Sequence, residues 1–352
     1  MVKREKNIRV LVIDDSPSNR RAITQILEAS PGIEVVDRAA DGEEGLKKAH
    51  ALKPDLITLD LEMPKLDGFS FLRLLMAHSP TPVIVLSSYA HDSDVFKALE
   101  LGAFDFVAKP SRGGREDLEA VRAELLQKVR SVRLLKKDEK TPLPIARPPK
   151  APPKVTEPDP MVVAVGASTG GPPAISKLVE AMVRRPVALL VCQHMPPRFT
   201  HAFAERLDKM GGLKVSEAKE GDRVKAGHVY IAPGGGHLEL KRVDGVLTLS
   251  TPENTPADKH APSVDRMFES CAKTLGAQTL AIVLTGMGVD GAKGVKAVAK
   301  AGGEVWAEAE ETAIIFGMPQ AAISTGVVGR VLPLFTLLVE LQERVRRGNG
   351  PK

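Results

Sequence analysis

Residues 140–160 constrain the fold most strongly, because eight of these positions are proline. Proline fixes its own φ angle and has no backbone N–H group, so a segment this rich in proline favours extended chain. A single hydrophobic core cannot continue through such a segment. The sequence therefore predicts two domains, at residues 1–130 and 161–348, joined by residues 131–160, which comprise a charged helix end and a proline-rich linker.

Short apolar runs alternate with amphipathic stretches in the first predicted domain. The apolar runs predict buried strands at 10–13, 34–37, 56–59, 83–87 and 105–108. The amphipathic stretches have helical spacing and lie at 17–29, 43–51, 68–77, 92–101 and 115–135. Because strands that alternate with helices form parallel sheets covered on both faces, we predict an α/β domain with a parallel five-stranded sheet.

The second predicted domain shows the same alternation. Its strands are expected at 161–166, 187–193, 228–233, 280–286 and 304–308, and its helices at 172–184, 198–210, 263–275, 289–301 and 332–346. A different pattern surrounds Asp244-Gly245, where two alternating runs flank a dipeptide typical of a type I′ hairpin turn. We therefore predict a doubly wound, mostly parallel α/β domain with an antiparallel hairpin.

The composition excludes several classes of protein. A formal net charge of +5 over 352 residues and an aromatic content of 4% do not favour a nucleic-acid partner. Cys192 and Cys271 are the only cysteines, too few for a disulfide framework or a cysteine metal cluster. The amino-terminal residues show no signal-peptide pattern, and no apolar run approaches the ~20 residues that span a bilayer. We expect a cytoplasmic protein with no nucleic-acid partner and no direct membrane insertion.

Charged and polar side chains lie at the ends of four strands predicted in the first domain. They are Asp14 and Asp15 after the first strand, Asp60 after the third, Ser87 at the end of the fourth and Lys109 after the last. The carboxyl ends of parallel strands meet at one edge of the sheet, so these side chains are expected to converge. Clustered carboxylates favour a hard cation such as Mg²⁺, and the lysine would balance a further anion. The simpler alternative is that the two adjacent aspartates only cap the following helix.

Four motifs of this domain resemble those of two-component receiver domains. They are "DD" at 14–15, "DLEMPKLDG" at 60–68, "LSS" at 86–88 and "FVAKP" at 106–110, and the resemblance covers about residues 1–125. The resemblance implies a flavodoxin-like fold that receives a phosphoryl group from a histidine kinase. It also implies that Phe106 is the aromatic side chain that changes rotamer on phosphorylation.

The receiver resemblance implies roles for individual residues as well. Asp60 would accept the phosphoryl group, and Ser87 and Lys109 would contact its oxygens. The expected Mg²⁺ ligands are Asp14, Asp15, Asp60 and the carbonyl oxygen of Glu62. The first domain would then be an input switch, and the biochemical function would depend on the domain after the linker.

The second domain opens with an apolar strand that runs into the turn "GASTGG" at 166–171. This turn matches neither G-x-G-x-x-G nor the Walker phosphate loop. It fits G-x-S-x-G, in which small residues allow a sharp turn that exposes the serine, here Ser168. Such a short pattern also occurs in binding loops, so by itself it leaves a nucleophile and a binding turn as alternatives.

A nucleophilic serine needs a base and a group that orients the base. His194 follows the next predicted strand, and Asp290 follows the strand "LAIVLTG" at the start of a helix. Ser168, His194 and Asp290 would thus lie at three strand ends of one sheet and form a candidate catalytic triad. Near the same helix start, the backbone N–H of Met287 is a candidate donor to an oxyanion.

Other residues compete for these roles, and each has a simpler explanation. His237 lies in a glycine-rich turn and is better explained as a loop residue that places backbone. We expect His201 on the surface of a helix, and Asp265 to complement the dipole of a helix start. Cys192 lies within a strand among apolar neighbours, so we expect it in the core rather than as a thiol nucleophile.

Six motifs of the second domain resemble the catalytic domain of chemotaxis protein-glutamate methylesterases. They are "VGASTGGP" (165–172), "CQHMP" (192–196), "YIAPGG" (230–235), "PSVDRMF" (262–268), "VLTGMGVDGAKG" (283–294) and "FGMPQAA" (316–322). The resemblance covers about residues 161–345, and it assigns Ser168 as nucleophile, His194 as base and Asp290 as orienting group. Together with the receiver motifs, it extends over both domains to the chemotaxis response-regulator methylesterases.

The methylesterase resemblance implies a regulated hydrolase. The expected substrates are glutamate methyl esters on chemoreceptor cytoplasmic domains, with methanol released, and receptor glutamines would be deamidated by the same residues. A chemotaxis histidine kinase would be the phosphodonor, and phosphorylation would control the activity. Mg²⁺ would serve the receiver domain only, and ester hydrolysis would need no cofactor.

Two other classes of function are less consistent with the sequence. A transcription factor would carry a compact helix-turn-helix with a basic recognition helix, whereas the second domain is long and rich in strands. A non-catalytic binding module would keep the glycine-rich turn but would not require histidine and aspartate at neighbouring strand ends. It would show no esterase activity and would be indifferent to Ser168→Ala.

Overall fold

The computed structural model describes residues 6–87, 92–109, 115–135 and 159–347. The chain divides into two compact units, Met1–Leu135 and Lys136–Lys352. The proline-rich segment lies mostly outside the described residues, so the linker and the exact domain limits stay predictions. The two units are therefore described separately.

The first unit alternates strands with helices along the chain. Its elements are β1 (Ile8–Ile13), α1 (Pro17–Glu28), β2 (Ile33–Ala39), α2 (Gly42–Leu52), β3 (Leu56–Asp60), α3 (Gly68–His78), β4 (Val83–Ser87), α4 (Asp92–Glu100), β5 (Asp105–Ala108) and α5 (Arg115–Ser131), followed by a 3₁₀ turn at Val132–Leu134. The strands form a parallel sheet in the order β2-β1-β3-β4-β5. This confirms the five-stranded, flavodoxin-like fold predicted from the sequence.

Local interactions explain where these elements begin. The side chain of Asp41 caps α2 by accepting the N–H of Glu44 at 2.9 Å. Asp67 caps α3 in the same way, by accepting the N–H groups of Phe69 and Ser70. Strands β3, β4 and β5 are buried along their whole length, as expected where helices cover both faces of a parallel sheet.

The second unit is also α/β, with a longer sheet. Its elements are β6 (Met161–Ala167), α6 (Gly171–Ala181), β7 (Val187–Gln193), α7 (Phe199–Met210), β8 (Lys214–Glu217), β9 (His228–Ile231), β10 (Glu239–Val243), β11 (Val246–Ser250), α8 (Val264–Leu275), a 3₁₀ turn (Gly276–Gln278), β12 (Leu280–Val283), α9 (Ala292–Lys300), β13 (Glu304–Glu308), α10 (Gly317–Ile323), β14 (Arg330–Leu332) and α11 (Leu334–Arg347). None of the helices that the structure describes is long and apolar enough to cross a membrane.

The order of strands in this sheet identifies where a site can form. Seven parallel strands follow the order β14-β13-β12-β6-β7-β9-β8, so the chain builds outward from β6 first on one side and later on the other. Such a reversal of strand order leaves a crevice at the carboxyl ends of the strands beside it. In this unit the crevice lies at the ends of β12, β6 and β7.

Strands β10 and β11 form a separate antiparallel pair, which confirms the predicted hairpin. Asp244 and Gly245 at its turn have φ angles of 48° and 83°, as a type I′ turn requires. Buried apolar side chains fill the space between the sheet, this hairpin and α8, among them Leu190, Leu249 and Phe268.

Three short elements of the second unit were missed, namely β8, β14 and α10. Strands β8 and β14 lie at the two edges of the sheet, and β8 has one buried residue while β14 has none. Without a buried apolar run, neither gives the pattern that predicts a strand. Strand β12 also ends earlier than expected, at Val283, and α9 begins later, at Ala292, because the residues between them form an irregular segment that carries Asp290.

Candidate active site

The chain leaves β6 through a tight turn of small residues. All residues of β6 are buried, and Ser168 follows as a half-buried residue. Gly170 has a φ angle of 77°, and a Cβ atom there would lie 2.7 Å from Cβ of Ile314. Helix α6 begins at the next residue. A strand, a turn of small residues and a helix in this order expose the serine at the carboxyl edge of the sheet.

Hydrogen bonds join the ends of the three central strands directly. The N–H of His194 donates to the carbonyl of Ala167 at 3.0 Å, and the N–H of Ser168 donates to the carbonyl of Thr285 at 3.1 Å. The side-chain amide of Gln193 donates to the carbonyl oxygens of both Ser168 (2.9 Å) and His194 (3.0 Å). Ser168 and His194 therefore occupy facing positions on neighbouring strand ends. The buried Gln193, which fixes both, was missed in the sequence because only its neighbour carried recognisable chemistry.

His194 and Asp290 form a close pair. Nε2 of His194 lies 2.8 Å from Oδ2 of Asp290. This contact leaves Nδ1 as the ring nitrogen that can take a proton from another group. Among the residues that the structure describes, no hydrogen bond joins the Ser168 hydroxyl to His194. Bonds of this kind often tighten only when substrate is bound.

The carboxylate of Asp290 is surrounded by hydrogen-bond donors. Besides His194, its donors are the N–H groups of Val264 (2.8 Å), Asp265 (3.0 Å) and Gly291 (3.1 Å) and the hydroxyl of Ser263 (3.2 Å). Burial alone would raise the pKa of Asp290, but the bonds from His194 and from the backbone lower it well below its usual range. Asp290 therefore stays ionised and can stabilise a positive charge on His194.

Asp265, the rival carboxylate, has a structural role. It lies in the first turn of α8, as expected, and its Oδ1 also accepts the N–H groups of Gly291 (2.9 Å) and Gly294 (2.6 Å) at the start of α9. Burial raises the pKa of Asp265, the backbone bonds partly offset this, and the charge of Asp290 adds to it. Asp265 thus ties α8 to the helix that follows Asp290.

Thr285 links the turn that carries Ser168 to a buried carboxyl group. Its carbonyl accepts the N–H of Ser168, and its hydroxyl donates to the carbonyl of Thr169 at 2.9 Å. Its own N–H donates to Glu308 at 2.8 Å, and Glu308 also accepts the hydroxyl of Thr312 at 3.0 Å. Burial raises the pKa of Glu308, although these hydrogen bonds oppose the shift. No sequence pattern indicated this role, because Glu308 is simply the last residue of an apolar strand.

Gly286 permits the close approach of the segment after β12 to the turn that carries Ser168. A Cβ atom at Gly286 would lie 2.9 Å from both Cβ and N of Ser168 and 2.4 Å from Sδ of Met318. Any larger residue would therefore displace Ser168. Met287, the predicted oxyanion donor, is the next residue along this segment and is half-buried. Its role in catalysis stays a prediction.

A second histidine lies at the site. The ring of His260 stacks on that of His194, with the centroids 4.6 Å apart and the planes 7° from parallel. His260 belongs to the segment between β11 and α8, which has no periodic pattern, so the sequence offered no sign of this contact. It is half-buried.

None of the contacts described for the other candidates involves Ser168 or His194. His237 is fully buried with Nε2 3.3 Å from Asp258, and burial together with the charge of Arg266 lowers its pKa. His201 is 64% exposed on α7. Cys192 is buried within β7, and burial raises the pKa of its thiol far above the ordinary value.

In the first unit, the predicted acidic residues converge. Oxygen atoms of Asp14, Asp15 and Asp60 lie within 4.8 Å of one another. Nζ of Lys109 lies 2.5 Å from Asp60 and 3.0 Å from Asp14. Burial raises the pKa of Asp14; Lys109 opposes this and the charge of Asp60 adds to it. Three carboxylates at this spacing fit a hard cation such as Mg²⁺.

The structure also describes three further residues that the receiver resemblance named. Ser87 is buried at the end of β4, and its carbonyl accepts the N–H of Lys109 at 2.7 Å. The N–H of Glu62 donates to Asp60 at 3.3 Å. Phe106 is buried in β5 and packs edge-on against Phe96 of α4, with centroids 6.5 Å apart.

Comparisons with known proteins agree with both units. A family model described as CheB methylesterase matches residues 163–341, and one described as response regulator receiver domain matches residues 10–121. The catalytic domain of the CheB methylesterase of Thermotoga maritima has a solved structure that is similar to this chain, with a TM-score of 0.50 and 39% identity. The match covers 53% of this chain and 99% of the Thermotoga maritima chain.

Full-length relatives share the whole arrangement. A protein of Myxococcus xanthus named protein-glutamate methylesterase/protein-glutamine glutaminase 1 is 58% identical over 97% of this chain and 98% of its own length. A protein of Geobacter sulfurreducens with the same name, numbered 3, is 48% identical over 96% of this chain and 98% of its own length. The chain therefore belongs to the CheB family of protein-glutamate methylesterases/protein-glutamine glutaminases, in which a receiver domain precedes the hydrolase domain.

Proposed function

We propose that Ser168, His194 and Asp290 form the catalytic triad of this hydrolase and act on glutamate methyl esters of chemoreceptor cytoplasmic domains. The observation that carries the proposal is the 2.8 Å contact between His194 and Asp290, at the ends of strands that flank β6, which Ser168 follows. A cytoplasmic location follows from that choice of substrate and is part of the proposal.

In the acylation step, Ser168 Oγ attacks the ester carbonyl carbon while Nδ1 of His194 takes the hydroxyl proton. The C–O bond to the methoxy group then breaks, and the same proton passes to the leaving oxygen, so that methanol departs. Asp290 stabilises the transient positive charge on His194, because its donors keep it ionised. The N–H of Met287 is proposed as a donor to the developing oxyanion.

In the deacylation step, water attacks the acyl-serine while His194 accepts its proton, and the proton returns to Ser168 as the acyl bond breaks. The products are a free glutamate and the regenerated serine. Deamidation of a receptor glutamine requires the same transfers, with ammonia leaving in place of methanol. In this proposal, the steps use side chains and backbone N–H groups of the chain together with water.

The receiver unit is proposed to regulate this activity. Asp60 would accept the phosphoryl group of a chemotaxis histidine kinase, while Ser87 and Lys109 contact its oxygens. Asp14, Asp15, Asp60 and the carbonyl of Glu62 would hold Mg²⁺, which neutralises charge on the phosphoryl oxygens. Lys109 already contacts Asp14 and Asp60, so its ammonium group is placed to contact a phosphoryl group on Asp60.

The test is methanol release from methylated receptor cytoplasmic fragments, with and without a small phosphodonor and Mg²⁺. The full chain is compared with Ser168→Ala, and Ser176→Ala serves as control, because the Ser176 hydroxyl donates to the Pro172 carbonyl of its own helix. We expect Ser168→Ala to lose at least about 10³-fold in kcat and Ser176→Ala to match the parent.

We also expect phosphodonor to raise methanol release in the parent and to have no effect in Asp60→Asn. Release that persists in Ser168→Ala would contradict the triad. Release that still responds to phosphodonor in Asp60→Asn would contradict the phosphoacceptor assignment.

A further inference from the structure

The stacked ring of His260 is a feature of the esterase site that the proposed triad does not use. Its plane is 7° from that of His194 at a centroid distance of 4.6 Å. The contact is on the face of His194, whereas Asp290 contacts the ring at its Nε2 edge. His194 is therefore held from two directions by two different groups.

The segment that carries His260 is fixed on both sides of the residue. Asp258 accepts the N–H (2.9 Å) and hydroxyl (2.7 Å) of Thr255 and lies 3.3 Å from Arg266 of α8. On the other side, the carbonyl of Ala261 accepts the N–H of Gly235 at 3.1 Å. The backbone that carries His260 is thus held on both sides of the residue, independently of the contact with His194.

The two contacts on His194 restrict different motions. A hydrogen bond at Nε2 fixes one edge of the imidazole but lets the ring tilt about the line from Nε2 to Oδ2. A parallel ring against the face opposes that tilt. The direction of Nδ1, which must meet the Ser168 hydroxyl, then depends on the stack as well as on Asp290.

The charge of His260 matters for the same reason. The charged and titratable groups that face it are His194, Asp290 and Lys259. Burial lowers the pKa of His260, a charge on His194 lowers it further, Asp290 opposes these effects, and Lys259 adds to them. If His260 is neutral, the stack carries a single charge when His194 takes a proton. If His260 were charged, the two positive rings would repel each other.

We propose that His260 is a positioning residue of the esterase site: a neutral ring that holds the plane of His194 and so directs Nδ1 at Ser168. The inference rests on the proposed triad and extends it by one residue. It predicts that the shape and the neutrality of the side chain at this position matter separately.

Three substitutions in the full chain separate these two properties. His260→Phe keeps a flat neutral ring, His260→Arg keeps a flat group with a permanent charge, and His260→Ala removes the stack. His201→Ala is the control, since His201 is an exposed histidine of the same domain. Methanol release from methylated receptor fragments is measured as kcat and KM across the pH range, with thermal melting to confirm the fold.

We expect His260→Ala to lose about tenfold in kcat with little change in KM, because a tilted base is poorly aligned with the serine. His260→Phe should stay within about threefold of the parent, since a flat ring still packs on His194. His260→Arg should lose about 100-fold, and the acidic limb of its pH profile should move to lower pH, because a fixed cation disfavours a proton on His194. His201→Ala should match the parent in every respect.

A His260→Ala enzyme with the parent's kcat would overturn the proposal, as would a folded His260→Phe enzyme as impaired as His260→Ala. If His260→Ala does not fold, the comparison of His260→Phe with His260→Arg decides. Equal activity of these two variants overturns the requirement for a neutral ring. Ser168→Ala, run in parallel, keeps the two proposals apart. Its retention of activity contradicts the triad itself, whereas its inactivity beside normal His260 variants contradicts only the role of His260.

Discussion

Asp14 in the receiver unit and Asp290 in the hydrolase unit are both buried carboxylates near the carboxyl end of a parallel strand, yet their pKa values move in opposite directions. Burial raises the pKa of Asp14, with a second carboxylate nearby and Lys109 as the opposing charge. Burial acts on Asp290 too, but His194 and several N–H groups outweigh it, so its pKa falls. The same position in a fold therefore supports different chemistry, depending on the donors around it.

This difference matches what each site has to do. The receiver cluster has more negative charge than its own donors neutralise, which suits a site that takes up a cation and then a phosphoryl group. At the hydrolase site, His194 and backbone N–H groups surround the charge of Asp290, which suits the proton transfer proposed for the triad. Three substitutions test this contrast, from the largest expected effect to the smallest.

Asp290→Asn should have the largest effect, because the amide cannot balance a charge on His194. We expect kcat for methanol release to fall by about 10³- to 10⁴-fold, with KM little changed. Asp222→Asn is the control, since among the described residues the Asp222 carboxylate accepts only the N–H of Lys219 in a turn. A loss below tenfold would mean that the donors around Asp290 serve the fold rather than the reaction.

Glu308 is a third buried carboxyl group, and it accepts two hydrogen bonds. Its substitution tests whether these bonds also hold Ser168 in place through Thr285. Glu308→Ala leaves the N–H of Thr285 without its acceptor, which should cost about 2 kcal/mol of stability, seen as a lower melting temperature. We also expect about a tenfold loss of kcat, since Thr285 holds the Ser168 backbone. Glu308→Gln keeps an acceptor oxygen and should recover most of the stability and most of kcat. Glu311→Ala, at an exposed position, should change neither the melting temperature nor kcat. Equal damage from Gln and Ala would contradict this account.

Asp14→Asn should have the smallest effect, and it should stabilise the protein rather than impair it. In the absence of Mg²⁺ it should stabilise the receiver unit by on the order of 1 kcal/mol, because the buried charge is removed. The folded pKa of Asp14 lies above its unfolded value, so the destabilisation is present at neutral pH and is relieved as the pH falls through the folded pKa. The advantage of Asp14→Asn should accordingly shrink toward acidic pH.

The measurement is thermal melting of the full chain in chelator and in Mg²⁺, following the transition that Mg²⁺ raises. Mg²⁺ should stabilise the parent more than Asp14→Asn. Asp15→Asn is the comparison, since Asp15 is exposed and its neutralisation in chelator should give no comparable gain. A destabilised Asp14→Asn in chelator would show that the ion pair with Lys109 outweighs burial.

Much of this molecule could be predicted from its sequence. The apolar runs and the small-residue turn placed Ser168, and strand ends placed His194 and Asp290, because parallel strands direct the residues that follow them to one edge. The acidic residues of the receiver were predicted for the same reason. Short edge strands such as β14 were missed, since they bury too little to leave a pattern.

The residues that hold the site in place could not be predicted in this way. Gln193, Thr285, Glu308 and His260 act through contacts between segments distant in the chain, and none of them carries a periodic signal. His260 comes from an irregular segment and meets His194 across 66 positions of sequence. Only the packing of the segment before α8 against the end of β7 brings the two rings together.

The sequence by itself determined which chemical groups this protein has and the strand ends at which they stand. That information is local, because alternation of buried strands and helices and the glycine-rich turn are short-range patterns. The tertiary structure alone decided which of those groups touch, which ring nitrogen of His194 faces Asp290 and which aspartate is held ionised. Those outcomes depend on hydrogen bonds and burial contributed by distant segments, and no short stretch of sequence contains them.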